Sequence, residues 1–254
     1  MTMIDVMYAP TKDLTLMMMG TYVSKDMTLG TYAAMMDRNL LGTFKTSSSD
    51  LSELTFSALR TISDTDNSKW YAEATLQKSL GNNDQTGLVL TPMGTEMNMI
   101  LPYAMQPSDK ATRLILGLNN SRKLSEKVSW TNQARFKKVL DEKEWALGDQ
   151  LELNSWVQYQ YKPSLSVSTR LKFVSQKDIS GSNPMIMAPV QTANPENYGG
   201  DELHIGFGAN YDLSSLTSKQ DVVGIEVLFP IIQDKNGLQM ETKHQIVLGF
   251  NRSF

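Results

Sequence analysis

The sequence contains no cysteine, which excludes disulfide scaffolds, thiolate metal sites and cysteine nucleophiles. It has two histidines, His204 and His244, too few for a histidine-rich metal centre. Neither sign of charge dominates: 24 Lys+Arg stand against 27 Asp+Glu, a net charge of -3. That is too balanced for a protein built to hold nucleic acid. No run approaches the ~18 apolar residues of a membrane helix. Met1-Thr2-Met3-Ile4-Asp5 has neither the basic region nor the apolar core of a signal peptide. There is no G-x-S-x-G, H-E-x-x-H or P-loop, and neither histidine has a serine at the offset that a barrel phospholipase uses. The residues thus mark no enzyme and require no cofactor. What the chain has in excess is methionine, 16 in all.

The dominant pattern is alternation of period two. Leu165, Val167, Thr169, Leu171 and Phe173 share one face, with Ser166, Ser168, Arg170 and Lys172 on the other. Leu203, Ile205, Phe207, Ala209 and Tyr211 alternate with His204, Gly206, Gly208 and Asn210. Leu151, Leu153, Val157, Tyr159 and Tyr161 alternate with Glu152, Asn154, Trp156, Gln158 and Gln160. No amphipathic helix gives such patterns.

Eleven strands follow, at 2–10, 13–23, 51–62, 69–79, 110–120, 127–139, 149–161, 164–176, 201–212, 221–231 and 240–254. Their connections alternate strictly between short and long, the long ones being 24–50, 80–109, 140–148, 177–200 and 232–239. A soluble β-sandwich would also alternate in hydropathy. It would rarely keep this rhythm of turns, and it would not need Arg and Lys in mid-strand on its polar face. An outer-membrane barrel needs both: strands of ~9–11 residues, short turns at one end, long loops at the other, apolar side chains outward and polar ones inward. The expected fold is therefore all-β, an antiparallel up-and-down transmembrane β-barrel forming one domain over residues 1–254. Phe173, Tyr159, Tyr161, Phe207, Tyr211, Phe229 and Phe250 are expected to face lipid or the interfacial aromatic girdles.

The chain ends His244, Ile246, Leu248, Phe250, Arg252, Phe254 in steps of two. A terminal Phe254 on an alternating strand resembles the signal by which the assembly machinery recognises outer-membrane barrels, although Arg252 departs from it. Longer segments carry a wider resemblance: MTMIDVMYAPTKDLTL at Met1–Leu16, LPYAMQ at Leu101–Gln106, LGDQLELNSW at Leu147–Trp156, DISGSNPMIMAPVQTANPENYGG at Asp178–Gly200, and FPIIQDKNGLQMET at Phe229–Thr242. In these the chain resembles a family of Gram-negative outer-membrane barrels labelled only as transporters, similar to the barrels named for the meta-pathway of phenol degradation. The resemblance implies the outer membrane as location, and the lipid bilayer and small solutes as partners. It also implies a signal peptide and one more strand before Met1. Strand parity implies the same strand, giving eleven strands here and twelve in the intact protein.

If the apolar residues face lipid, Asp5, Glu53, Glu73, Arg113, Gln133, Arg135, Lys137, Glu152, Arg170, Lys172, His204 and Glu226 face inward. Arg135, Lys137, Arg170 and Lys172 then form a basic wall opposite an acidic wall of Asp5, Glu53 and Glu73. Such a lumen is either a water-filled channel passing small solutes or a plug of salt bridges in a structural or adhesive barrel whose loops bind partners. Met3, Met7, Met17 and Met19 share a face. Thioethers are soft ligands suited to Cu(I), and equally they are adaptable apolar filler. Met185 and Met187 lie together in a long loop.

Overall fold

The computed structural model describes residues 1–34, 38–186, 190–217 and 220–253. In chain order the strands are β1 (Thr2–Thr11), β2 (Leu14–Tyr32), β3 (Leu40–Asp64), β4 (Ser68–Ser79), β5 (Thr86–Leu90), β6 (Glu96–Ile100), β7 (Thr112–Lys123) and β8 (Val128–Asp141). There follow β9 (Trp145–Ala146), β10 (Gln150–Lys162), β11 (Leu165–Gln176), β12 (Ser180–Gly181), β13 (Gly200–Asp212), β14 (Gln220–Lys235) and β15 (Gln245–Ser253). Eleven of them form one antiparallel sheet in the order β1-β2-β3-β4-β7-β8-β10-β11-β13-β14-β15. Each of these strands pairs with the next along that list, and β1 and β15 are the two edges. The other four make two small sheets, β5 with β6 and β9 with β12. Phe254 and Met187 lie outside the described residues.

The alternation in the sequence becomes a two-sided wall. On β10, Leu151, Leu153, Val157, Tyr159 and Tyr161 are exposed, while Glu152, Asn154, Trp156, Gln158 and Gln160 are withdrawn to the other face. Of the aromatics expected to face lipid, Tyr159, Tyr161, Phe207, Tyr211, Phe229 and Phe250 are exposed, and half-buried Phe173 packs on the same outer face beside Leu153, Leu171 and Leu203. A soluble protein avoids an exposed apolar band of this extent; acyl chains would cover it.

Four short strands, β5, β6, β9 and β12, lie within stretches expected to be loop, and three of the long strands depart most from their expected boundaries. β2 and β3 run through most of residues 24–50, so that stretch is a long hairpin and not a loop. The period of two persists there: Lys25, Met27, Leu29 and Thr31 alternate with exposed residues, and Met27 and Thr31 are buried. β3 alone has 25 residues, about 80 Å at ~3.3 Å per residue. A bilayer-crossing strand needs ~9–11 residues, so the hairpin stands well clear of the apolar band. The third difference is at the C-terminus, where the last strand begins at Gln245 and not at 240.

Short turns join β1–β2, β3–β4, β7–β8, β10–β11 and β13–β14. The long connections gather at the other end and build a cap. There Tyr103, Trp145, Ile179, Ile186 and Ala193 form one buried apolar cluster. Met27, Leu101 and Met105 form a second. Tyr103 and Trp145 meet edge-on with ring centroids 4.8 Å apart. The Tyr198 hydroxyl accepts from the Ala104 amide at 2.8 Å and donates to the Thr192 carbonyl at 2.7 Å. Burial pushes that phenol up to about 12, so it stays a donor at any physiological pH.

Candidate functional site

Two features occupy the space enclosed by the wall: an ion-paired inner face and a segment of the cap folded against it. The segment is 101–109, which contains the LPYAMQ motif. Its residues are buried except for half-buried Ala104. Side chains on β2 and β3 donate to four successive carbonyls of this segment. Lys25 Nζ donates to the carbonyls of Ala104 at 3.0 Å and Gln106 at 2.6 Å. Ser48, paired in register with Lys25, donates to the carbonyl of Met105. Ser52 donates to that of Pro107 at 2.7 Å. Ser52 falls where the β2–β3 register shifts, and such a bulge re-aims a side chain. Gln106 ties the segment to itself through the Leu101 carbonyl at 2.7 Å.

Asp109 closes the segment. It makes a two-pronged ion pair with Arg113, one prong being 3.1 Å, and accepts from the Leu147 amide at 3.0 Å. The two side chains are 3% and 5% exposed. Burial alone would raise the Asp109 carboxyl. The Arg113 guanidinium and the amides of Leu147 and Ala111 outweigh it and hold the group below the usual carboxylate range.

Further along the wall, opposite charges alternate. Arg135 pairs with Glu73 at 2.9 Å, Lys172 with Glu152 at 3.1 Å and Arg170 with Glu226 at 3.0 Å. Two of these pairs reach across an intervening strand, and each does so over glycine. Gly117 stands in register between Glu73 and Arg135, and a Cβ there would lie 3.0 Å from Glu73 Oε2. Gly206, opposite Arg170, has Glu226 Oε1 at 3.3 Å from the same hypothetical atom. Neutral groups stitch the pairs together: Asn154 accepts from Arg170 at 2.7 and 3.0 Å and donates to Gln133 at 3.1 Å and Glu152 at 2.8 Å. Arg170 also lies over the Trp156 ring, 5.4 Å from its centroid. His204 is buried, with Nε2 2.8 Å from Glu202, which also holds Lys235 at 3.1 Å.

The expected pair of facing basic and acidic walls is therefore corrected. Glu73 is bonded to Arg135, and Lys172 and Arg170 take Glu152 and Glu226 from strands near their own. The reason is energetic: an unpaired charge in a poorly hydrated interior is costly, and adjacent strands, or strands separated by one that carries glycine, bring opposite charges within reach. Glu53 accepts from Gln77. Lys137 has no hydrogen bond or ion pair among the described residues. Asp5 is exposed on the edge strand, opposite Met19. Met7 stands opposite Met17 and Met3 opposite Thr21, so the four methionines share a face with Asp5 among them. No group of three or more His, Asp and Glu that could hold a metal occurs among the described residues.

Above the segment lies a cavity of about 930 Å³ at the capped end. Leu29, Phe44, Val89, Met99, Ile100 and Val190 contribute to its lining. Sequence reasoning missed this cavity and the donors Lys25 and Ser48, because it treated 24–50 as loop, and it missed Ser52 because the register shift that re-aims it leaves no mark in the alternation. The alternation of Met27, Leu29 and Thr31 was the signal available.

No protein-family description matches the chain, and no curated protein matches it in sequence. Among solved structures, an outer membrane channel from Pseudomonas putida F1 is similar, with a TM-score of 0.59 and 14% identity, covering 98% of this chain and 79% of that one. A Pseudomonas aeruginosa FadL homologue gives a TM-score of 0.43 and 10% identity over 90% of this chain and 59% of that one. The first likeness shows the fold: the sheet is that of an outer-membrane β-barrel.

Proposed function

We propose, from a fold shared with an outer membrane channel, that this chain lies in a bacterial outer membrane and admits small solutes from its capped end. Phe254 serves as the assembly signal in this reading. The observation that carries it is the cavity of about 930 Å³ under the long hairpin. Its size falls within the ~300–1,000 Å³ of small-molecule sites. Its lining is mainly aliphatic and aromatic, with Arg38, Gln191 and three threonines among it, so the solutes it favours are apolar or amphipathic. Beneath it the 101–109 segment and the paired charges narrow the way onward, so passage of free ions is expected to be slight.

The test uses a Gram-negative host with an intact lipopolysaccharide layer and the fluorescent apolar amine 1-N-phenylnaphthylamine. Expression of the full chain should raise uptake several-fold. Phe44→Glu, which puts a carboxylate into the apolar lining, should cancel the gain while the protein still reaches the membrane. No gain in uptake, together with no conductance in planar bilayers, would favour a structural or adhesive barrel.

A further inference from the structure

We propose that the polar cavity beneath the 101–109 segment binds a small organic monocarboxylate, with Lys137 as its cation. The cavity has a volume of about 200 Å³. At ~30 Å³ per water-sized unit, it accommodates a molecule of about six heavy atoms. It is separate from the apolar cavity above the segment, and the inference does not depend on whether any solute crosses the barrel.

The charges around this space are unevenly engaged. Lys25, Arg113 and Lys137 line it, as do Glu53 and Asp109. Arg113 and Asp109 are bonded to each other. Lys25 is taken up by two carbonyls of the segment. Lys137 is left over. It stands on β8 between Ile115 of β7 and Gln150 of β10, neither of which offers a carboxylate. The charged groups close enough to act on it are Glu53, Arg113, Arg135 and Glu152. Glu152 is held by Lys172, Arg135 by Glu73, and Glu53 by Gln77. Every neighbour has a closer partner, and among the described residues no acceptor contacts the Lys137 ammonium.

One other group lining the cavity lacks an acceptor: Trp145 is 1% exposed, and its indole Nε1 has none among the described residues. A buried donor is rarely left so. A carboxylate supplies what Lys137 lacks, an anionic acceptor, and one negative charge balances a lining with three cations and two carboxylates. The cavity size limits the tail to a few carbons, and Tyr103 and Tyr198 give that tail an aromatic wall.

Isothermal titration of the detergent-solubilised full chain with sodium butyrate, in a sodium chloride background, tests this. Saturable binding of one butyrate per chain is expected. Lys137→Met should weaken it at least tenfold, and Lys137→Arg should keep it within about threefold. Lys138→Met, on the opposite face of the same strand, should leave it unchanged. Lys137→Met removes an uncontacted charge, so the variant should unfold at the same temperature or higher, and a lost titration will not reflect lost folding. Absence of saturable binding in the parent chain overturns the proposal, as does unchanged binding in Lys137→Met. Equal competition by chloride reduces the site to a counter-ion site and overturns the carboxylate. Tighter binding of malonate than of butyrate overturns the monocarboxylate class by bringing in a second cation of the lining. None of these readouts requires conductance or uptake.

Discussion

Arg113→Met should release the 101–109 segment from the wall. The substitution leaves Asp109 buried without its cation, and breaking a buried ion pair from one side costs about 3–5 kcal/mol. Both side chains are nearly inaccessible, so little solvent screening reduces that figure. Urea unfolding of the reconstituted protein should show the loss, and planar-bilayer conductance should rise several-fold as the segment leaves the lumen. The double variant Arg113→Met with Asp109→Leu separates charge from fit. With both partners replaced no charge is stranded, but the Leu147 and Ala111 amides lose the acceptor that Asp109 gave them, so the stability should recover only in part. A double variant as unstable as the single one would show that the stranded charge is not what the single substitution costs.

The same carboxylate gives the latch a pH dependence. The Asp109 carboxyl is lowered in the folded chain, so its contribution is fully present above the unfolded value of ~3.9 and is lost as pH falls through the lower folded value. Conductance should therefore stay low through mildly acidic pH and rise only below about pH 4. A rise centred near neutrality would point to a different titrating group.

Phe207→Arg should destabilise the protein by about 2–4 kcal/mol, the cost of a cation on the lipid face near the bilayer midplane. Phe207 is exposed on β13, and its cross-strand neighbours are Thr169 and Val227, so no carboxylate is beside it. Tyr211→Arg, one residue from the short-turn end of the same strand, should cost only ~0–1 kcal/mol, because the cost falls towards the interface. Equilibrium unfolding in lipid vesicles measures both. Equal losses at the two positions would mean that the outer band is not graded by depth and does not lie in a bilayer.

The sheet was legible from the sequence because its rule is local. Whether Val167 or Ser168 faces out depends only on alternate positions along β11, and the strand order follows from short connections. The cap was not legible because its contacts are distant and its residues obey no period. LPYAMQ reads as an apolar stretch in a loop; nothing in it announces that Lys25 and Ser48 will donate to its carbonyls. The charged wall was half legible. Alternation shows that Arg170 and Glu226 point the same way, but only the register of β11, β13 and β14 puts them 3.0 Å apart across Gly206. Glycines such as Gly117 and Gly206 within a strand were the clue to that bridging, since a missing Cβ marks a place where something else passes.

The cap also sets the order in which the chain can assemble. Each wall hairpin closes between neighbours, but the bonds that seat the cap join residues far apart: Lys25 to Ala104 across 79 positions, Asn183 to Tyr103 across 80, Tyr198 to Ala104 across 94. Contacts of such separation form late, because the entropy of closing long loops must be met before any of them forms. On that ground the wall is expected to form before the cap, and burial of the Trp145 indole, followed by its fluorescence, is expected to lag behind strand formation.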